Sequence, residues 1–495
     1  MMEVMDKQPK SHRSLSRRRF LHNCSLAITA PFLQGCLHSK PSRSHLSGWS
    51  DNKPNVLFIA VDDLRTELGC YGSRQVISPN IDRLAAEGIV FSRAYCQVPV
   101  CGASRASLMT GIRPDHAAGR FTHAGSRADR DVPSAVNLAM HFKGNGYETI
   151  SNGKIFHYVQ DSADSWTQPP FRVYDYDTDG QGDWAAHHFD RIWLDPESRK
   201  HISDKGRGPW YEAADVPDDA YEDGQTAAKT IDDLRRLAAQ ERPFFLACGF
   251  SRPHLPFNAP RKYFDLYNTD EIKLADNRFP IVSKPRECTN SGEIGAYSRI
   301  EGWPESEIFH RQARHAYYAC VSYVDSLIGS VINEIKTLGL DQNTAVVLWG
   351  DHGWHLGEHN FWGKHNTLNN ALQVPLIVRV PGQRRNLKTD ALVEFVDLYP
   401  TLCELAGIRQ PAHTLDGQSF LPLLEKPDHP WKEAVYGEWT TGRAVKTDRY
   451  LYTEWKSGSR MLFDHALDPD ENTNVAANPR YKSIVDYHRA LLNNS

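Results

Sequence analysis

A chain of 495 residues is too long for one small core; it has room for two or three domains, or one large α/β domain with an appendage. Its composition, 40% hydrophobic, 24% charged and 11% aromatic, is that of an ordinary globular protein. A net charge of -4 offers no basic footprint for nucleic acid, and no apolar run approaches the roughly 18 residues of a membrane-spanning helix.

The first residues read as an address. Ser16-Arg17-Arg18-Arg19-Phe20-Leu21 sets an arginine pair ahead of a short apolar stretch, Cys24 to Leu33. That order resembles a bacterial twin-arginine export signal. The stretch closes on Leu33-Gln34-Gly35-Cys36, which resembles a lipoprotein cleavage box with Cys36 as the lipidated residue, although Gln34 is unusual there. The bland alternative is a disordered basic tail. We expect a signal over 1–36, a tether over 37–53, and an exported protein of the bacterial periplasm or cell envelope, with a lipid anchor at Cys36. Nine cysteines, an odd number, show no paired metal-ligand or redox spacing, so no disulfide is read from them.

The folded part begins at Pro54. Asn55 to Val61 is a continuous apolar run, as expected of a strand buried on both faces, and it ends in Asp62-Asp63. Ser78-Pro79-Asn80 opens a helix carrying Ile81, Leu84 and Ala85 at helical spacing. Val132 to Lys143 reads as a helix and Tyr147 to Ser151 as a strand. Asp161 to Gly224, rich in Asp, Gly, Trp and His, reads as an insertion of long loops. Pro243 to Gly249 is another buried strand, Phe309 to Leu338 a long helix, and Thr344 to Trp349 and Val374 to Val380 two further strands. Strands alternating with helices predict an α/β fold, a mostly parallel sheet with helices on both faces, over 54–424. After Leu424 the texture changes. Ala434 to Trp439, Gly442 to Trp455 and Met461 to Asp464 are short and aromatic, and predict an antiparallel meander. A helix over Pro479 to Leu492 completes a small α+β subdomain at 425–495.

In open α/β sheets the reactive groups gather at the carboxyl ends of strands. Two such ends carry acidic or imidazole pairs, Asp62-Asp63 and Asp351-His352. Three carboxylates and an imidazole brought together by topology form a divalent-cation site. The oxygen majority favours a hard ion, and calcium, which tolerates irregular geometry, is preferred over magnesium. Taken alone, Asp62 or Asp63 would more readily cap the helix that follows.

The third element is Cys101-Gly102-Ala103-Ser104-Arg105, continuing through Leu108 and Thr110-Gly111 to Arg113. It resembles the signature of the formylglycine-dependent sulfatases, in which a maturation enzyme oxidises the Cys to formylglycine. The usual family form has Pro where Ala103 stands, and this variant leaves open which maturation enzyme acts. VDDLR (61–65), SPNIDRLA (78–85), GKIFH (153–157), RPHLPF (252–257) and DHGWHLGEH (351–359) are similar to the iduronate-2-sulfatase branch. The resemblance implies an alkaline-phosphatase-like α/β fold with a small C-terminal subdomain, and a calcium-dependent enzyme that hydrolyses a sulfate ester on a carbohydrate. It makes Asp62, Asp63, Cys101, Asp351 and His352 metal ligands. It makes Arg105 and Lys154 the groups that hold the formylglycine, His157 the base that helps expel sulfate, and His254 and Lys364 the groups facing the sulfate and the leaving oxygen.

Two other readings stay open at this point: a phosphoester or phosphonate hydrolase of the same superfamily, and a non-catalytic binder of sulfated glycans. The branch suggests a 2-O-sulfated uronic acid or another sulfated polysaccharide unit. Loops at 116–131, 161–224 and 265–308 shape the pocket and match no motif. His355, His359 and His365 carry no assigned role.

Overall fold

The computed structural model describes residues 53–173, 190–203, 207–300, 302 and 306–494. The export and lipidation signals at 1–36, and all of the tether but Lys53, lie outside them. Among the described residues no helix is long and apolar enough to cross a membrane.

The main sheet contains β1 (Asn55–Val61), β2 (Ile89–Tyr95), β3 (Glu148–Gly153), β4 (Phe244–Phe250), β5 (Thr344–Gly350), β6 (Leu376–Arg379) and β7 (Leu387–Glu394). A two-residue strand, Gln373–Val374, completes its eight. In space the order runs β2, β6, β5, β1, β4, β3, with β7 on β2. The pairs β1–β4, β1–β5, β3–β4 and β2–β7 are parallel, whereas β6 runs antiparallel to both of its neighbours. Every residue of β1, β4 and β5 is buried. Alternation sends their side chains into two separate cores. Leu57, Ile59, Val61, Leu246 and Leu348 pack on one face, under α1 (Pro79–Glu87), α4 (Glu222–Ala238) and α5 (Glu307–Thr337). Val56, Phe58, Ala60, Phe245 and Val347 pack on the other, under α2 (Cys101–Thr110), α3 (Leu138–Gly144) and α6 (Leu398–Leu405). Each of the larger of these side chains, Val, Leu, Ile and Phe, contributes on the order of 1.5–3 kcal/mol by leaving water.

Several expectations change in detail. The helix expected from Val132 begins only at Leu138, where the Asn137 side chain accepts the Met140 amide; Pro133 keeps the preceding turns out of the helix. The strand expected over Val374–Val380 is split at Pro375, which has no N–H to give the ladder. The expected loop insertion at 161–224 is partly built into the fold. Tyr211–Ala214 pairs with Phe257–Pro260, and Trp193 and Trp210 are fully buried.

C-terminal to the main sheet, β8 (Val435–Trp439), β9 (Gly442–Lys446), β10 (Tyr450–Trp455) and β11 (Arg460–Asp464) form an antiparallel meander in that order. The run read as one segment over Gly442–Trp455 is two strands joined by a turn at 447–449. Helix α7 (Lys482–Asn493) covers one face, with Val485 and Leu492 packed on Val445, Tyr452 and Leu462.

Candidate active site

The strand ends predicted to carry chemistry meet at one place. Asp62 and Asp63 follow β1, Asp351 and His352 follow β5, and Lys154 follows β3. The backbone ladder runs one step past the strands: Asp62 N donates to Phe250 O, Asp351 N to Val61 O and Lys154 N to Gly249 O. This fixes the pairs to the sheet rather than to a loop. Asp63 takes φ 58, a left-handed turn that Asp tolerates, and its carbonyl accepts from the Tyr317 hydroxyl of α5 at 2.7 Å. Neither Asp caps a helix.

Cys101 opens α2 and is buried. A β-carbon at Gly102 would run into the carbonyl of Ala124, so Gly lets loop 121–126 close over the helix start. The Cys101 Sγ lies 3.2 Å from Asp62 Oδ1, 3.3 Å from His352 Nε2 and 3.4 Å from Lys364 Nζ. Lys154 pairs with Asp62, and Lys364 donates to Asp63 Oδ1 at 2.8 Å. Arg105, four residues along α2, donates to Asp351 Oδ2 at 2.8 Å and to the carbonyls of Lys154 and Ile155. These hydrogen bonds hold Asp351 and the β3 end in place, while Arg105 Nη2 lies 3.6 Å from Asp62 Oδ1 and makes no hydrogen bond among the described residues.

The electrostatics follow from burial. Burial pushes Asp62 up, but Lys154, His254 and Arg105 outweigh it and hold the carboxyl well below its usual range. Burial, reinforced by Asp62, raises Asp63 to about 7. Burial and the Asp62 charge push the Cys101 thiol well above its usual value. A thiol held protonated is neither a nucleophile nor a good ligand. The side chain encoded at 101 is therefore poorly suited to chemistry as it stands. Burial lowers His157, with Lys154 and Arg172 adding to it, which leaves a neutral imidazole. Burial works against charge on Lys364, but Asp63, Cys101 and Glu293 keep it an ammonium.

The donor set fits a divalent cation. Ligand atoms of Asp62, Cys101, Asp351 and His352 lie within 4.8 Å of one another. The Gly353 carbonyl accepts from His352 Nδ1 at 3.1 Å, which assigns the proton to Nδ1 and leaves a lone pair on Nε2. That lone pair faces Asp63 Oδ1 at 3.4 Å and Asp351 Oδ1 at 3.5 Å. Acceptors at these separations repel one another unless a cation stands among them. Asp63 Oδ2 is buried and accepts no hydrogen bond from the described residues, an acceptor left for a ligand.

His254 follows β4 and joins the group from the side. A ligand atom of His254 lies within 4.8 Å of Cys101 Sγ and an Asp63 oxygen. Its Nδ1 donates to Leu255 O at 2.7 Å, and its Nε2 lies 3.1 Å from Glu293 Oε1. Glu293 Oε2 lies 3.4 Å from Lys364 Nζ. Glu293 belongs to the 265–308 segment, which carries no motif, and sequence reasoning missed it. His157 sits beyond Lys154, edge-on to Tyr158, and its carbonyl accepts from Arg172. His355 and His359 are buried: His355 Nε2 pairs with Asn366 while its Nδ1 makes no hydrogen bond among the described residues, and His359 bonds Asn277 and the carbonyls of Phe279 and Asp470. His365 stacks flat on Trp439 of β8 at 4.8 Å, which ties the meander to the Lys364 loop. Among the described residues all cysteines are free.

Comparison with known proteins finds this chain similar to sulfatases. The family model described as Sulfatase matches residues 54–408, and one described as N-sulphoglucosamine sulphohydrolase, C-terminal, matches 357–495. A sulfatase of Formosa agariphila is 33% identical over 469 residues, covering 89% of this chain and 86% of that protein. Human iduronate 2-sulfatase is 33% identical over 407 residues, covering 72% of this chain and 70% of its own. The crystal structure of a phosphonate monoester hydrolase of Agrobacterium radiobacter superposes with a TM-score of 0.71 at 23% identity, over 89% of this chain and 95% of that one, and shows the fold alone.

Proposed function

This chain belongs to the sulfatase family and is a sulfuric ester hydrolase, and from that premise we propose that it removes sulfate from a carbohydrate, using Cys101 after its conversion to formylglycine and a bound Ca²⁺. The observation that carries the reading is the convergence of Asp62, Asp63, Asp351 and His352 on the residue 101 side chain, with one buried carboxylate oxygen unspent. Iduronate 2-sulfatase among the relatives supports a 2-O-sulfated uronic acid as the substrate unit.

The cation would be held by Asp62, Asp63, Asp351, His352 and residue 101, and when bound it supplies Lewis-acid polarisation and neutralises sulfate charge. The all-protein oxygen majority and irregular spacing favour calcium. Hydrated formylglycine at 101 would supply two hydroxyls on one carbon, one as nucleophile and one carrying a proton that a base can remove. The remaining work falls to side chains. Arg105 orients Asp351, and with Lys154 and His254 it keeps Asp62 ionised. Lys154 and Lys364 cancel repulsion between the anionic ester and the carboxylates around it. His157, held neutral, is the base that takes a proton from residue 101. His254 and Lys364 stand on the leaving-group side, one to grip the ester and one to give the departing oxygen its proton.

The burial of Cys101 bears on maturation. A thiol at 2% exposure, at the start of a wholly buried helix, is out of reach of another enzyme once the chain has folded. A twin-arginine signal exports folded proteins, so conversion belongs before export, in the cytoplasm. The substrate is tested by sulfate release from a panel of sulfated mono- and disaccharides with Ca²⁺ present. A 2-O-sulfated uronate should be turned over. Turnover of phosphonate or phosphate esters alone would reject the reading.

A further inference from the structure

Glu293 reaches the site on a segment that is bolted to the Lys364 loop. Trp362 N donates to Asn290 Oδ1 at 2.8 Å. Ser291 Oγ lies 3.0 Å from His365 Nδ1 and accepts the Glu293 amide at 3.3 Å. A side chain at Gly363, where φ is 111, would strike the Ser291 side chain, so glycine there permits the docking. Cys288 is buried with Phe361 and Leu368, which pins the other end of the segment. Glu293 is thereby fixed in its relation to Lys364, and its two oxygens serve different donors. Oε1 faces His254 Nε2 at 3.1 Å and Oε2 faces Lys364 Nζ at 3.4 Å. With Nδ1 donating to Leu255 O, Nε2 can donate to Glu293 Oε1 only in the imidazolium form, the form that can also give a proton to an ester, and Glu293 sets where Nε2 points. The other anchors of Lys364, Asp63 Oδ1 and Cys101 Sγ, both draw the ammonium toward the cation site.

We propose that Glu293 is a positioning residue that holds His254 and Lys364 at the spacing at which both address one ester. The inference rests on the reading that those two residues face the leaving group. A misplacement of about 1 Å at such a site costs on the order of a hundredfold in rate.

The test compares Glu293→Gln, Glu293→Asp and His254→Ala on a sugar sulfate and on an activated aryl sulfate, whose phenolate leaves unaided. Both Glu293 variants should lower kcat on the sugar sulfate by about thirtyfold, with KM within about threefold, and barely affect the aryl sulfate. Glu293→Asp keeps the charge and shortens the reach, so the same selective loss there separates position from charge. The double variant H254A/E293Q should lose less than the product of the two single losses, because part of the Glu293 effect acts through His254. In ¹⁵N-histidine spectra the His254 Nε2 signal should shift in Glu293→Gln while the melting temperature holds. Equal losses on both substrates, additive losses, or a lower KM with unchanged kcat (a carboxylate that merely competes with the ester) would overturn the proposal. If His254→Ala slows both substrates equally, the leaving-group reading falls and this inference with it. If His254→Ala is selective and Glu293→Gln is not, only the inference falls.

Discussion

On one side of the sheet Glu394 and Asp397 face Arg113 and Lys432; at its carboxyl edge Asp62, Asp63 and Asp351 face Arg105, Lys154 and Lys364. In both clusters the carboxylates are wholly buried. Their hydrogen bonding differs. In the first, Glu394 Oε1 accepts from Arg113 and Tyr436 N, and Oε2 from Arg113 and Lys432. Asp397 Oδ1 accepts from Lys432 and Gln418 N, and Oδ2 from Lys432 and Glu394 N. Every oxygen is satisfied, and Asp397 and Glu394 form a reciprocal cap at the start of the helical segment that leads into α6. In the second, Asp63 Oδ2 is left over, the His352 lone pair faces oxygens, and a thiol lies in the middle. Buried charge alone therefore does not mark a site. Ligand atoms from three separate elements converging within 4.8 Å of one another do. Arg113 shows this within a single motif: it belongs to the same signature as Cys101 and Arg105, yet its guanidinium serves the satisfied cluster.

Removing a member of each cluster should separate them most sharply. Asp62→Asn or Asp351→Asn should cut turnover by about a thousandfold or more while unfolding stays cooperative. Lys432→Met should leave turnover per folded molecule nearly unchanged and destabilise by about 3 kcal/mol, because two buried carboxylates lose a partner. Steady-state rates beside denaturant melts check both. Comparable losses of turnover in the two sets would erase the distinction.

A smaller effect concerns protons. In metal-free protein Asp63 keeps its proton up to about 7, since burial and then Asp62 raise it. A cation must displace that proton, so Ca²⁺ affinity should weaken as pH falls below this value, by up to about tenfold per pH unit. Calorimetric titration of stripped protein across that range gives the slope. A flat profile would remove Asp63 from the ligand set.

The smallest expected effect lies outside both clusters. Burial, then Asp115, raise Glu438 of β8 from 4.5 to about 7. A carboxylate raised on folding favours the fold below its unfolded value, and that contribution is lost as pH rises through about 7. Glu438→Gln does not titrate there, so it should gain on the parent by a degree or two of melting temperature between about pH 5 and pH 8. Thermal melts at the two pH values decide it. A gain in the opposite direction would mean that Glu438 is held ionised.

These contrasts also show what the sequence carries. Strands β1, β4 and β5 were legible because both of their faces are buried, which leaves an unbroken apolar run. Strand polarity brought the Asp62-Asp63 and Asp351-His352 pairs, at the ends of β1 and β5, to one edge of the sheet. Strand β7 was not foreseen, since it pairs only at the sheet margin and its first half is polar and partly exposed. The reversal of β6 leaves no trace in periodicity, because a strand reads the same in either direction. The partners of Arg105 depend on how α2 docks over β5, which the spacing within the helix does not encode. Glu293 was invisible for the same reason. Its role depends on the docking of 288–293 against 360–366, and no local pattern encodes that contact.

The proposed chemistry requires residue 101 to be an oxidised cysteine within the cation cluster. Mass spectrometry of the Cys101-containing peptide, on protein of measured specific activity, decides this. A formylglycine peptide, lighter than its cysteine counterpart, is expected, with a fraction that rises in proportion to activity across preparations. Full activity from protein carrying an intact Cys101 thiol would contradict it.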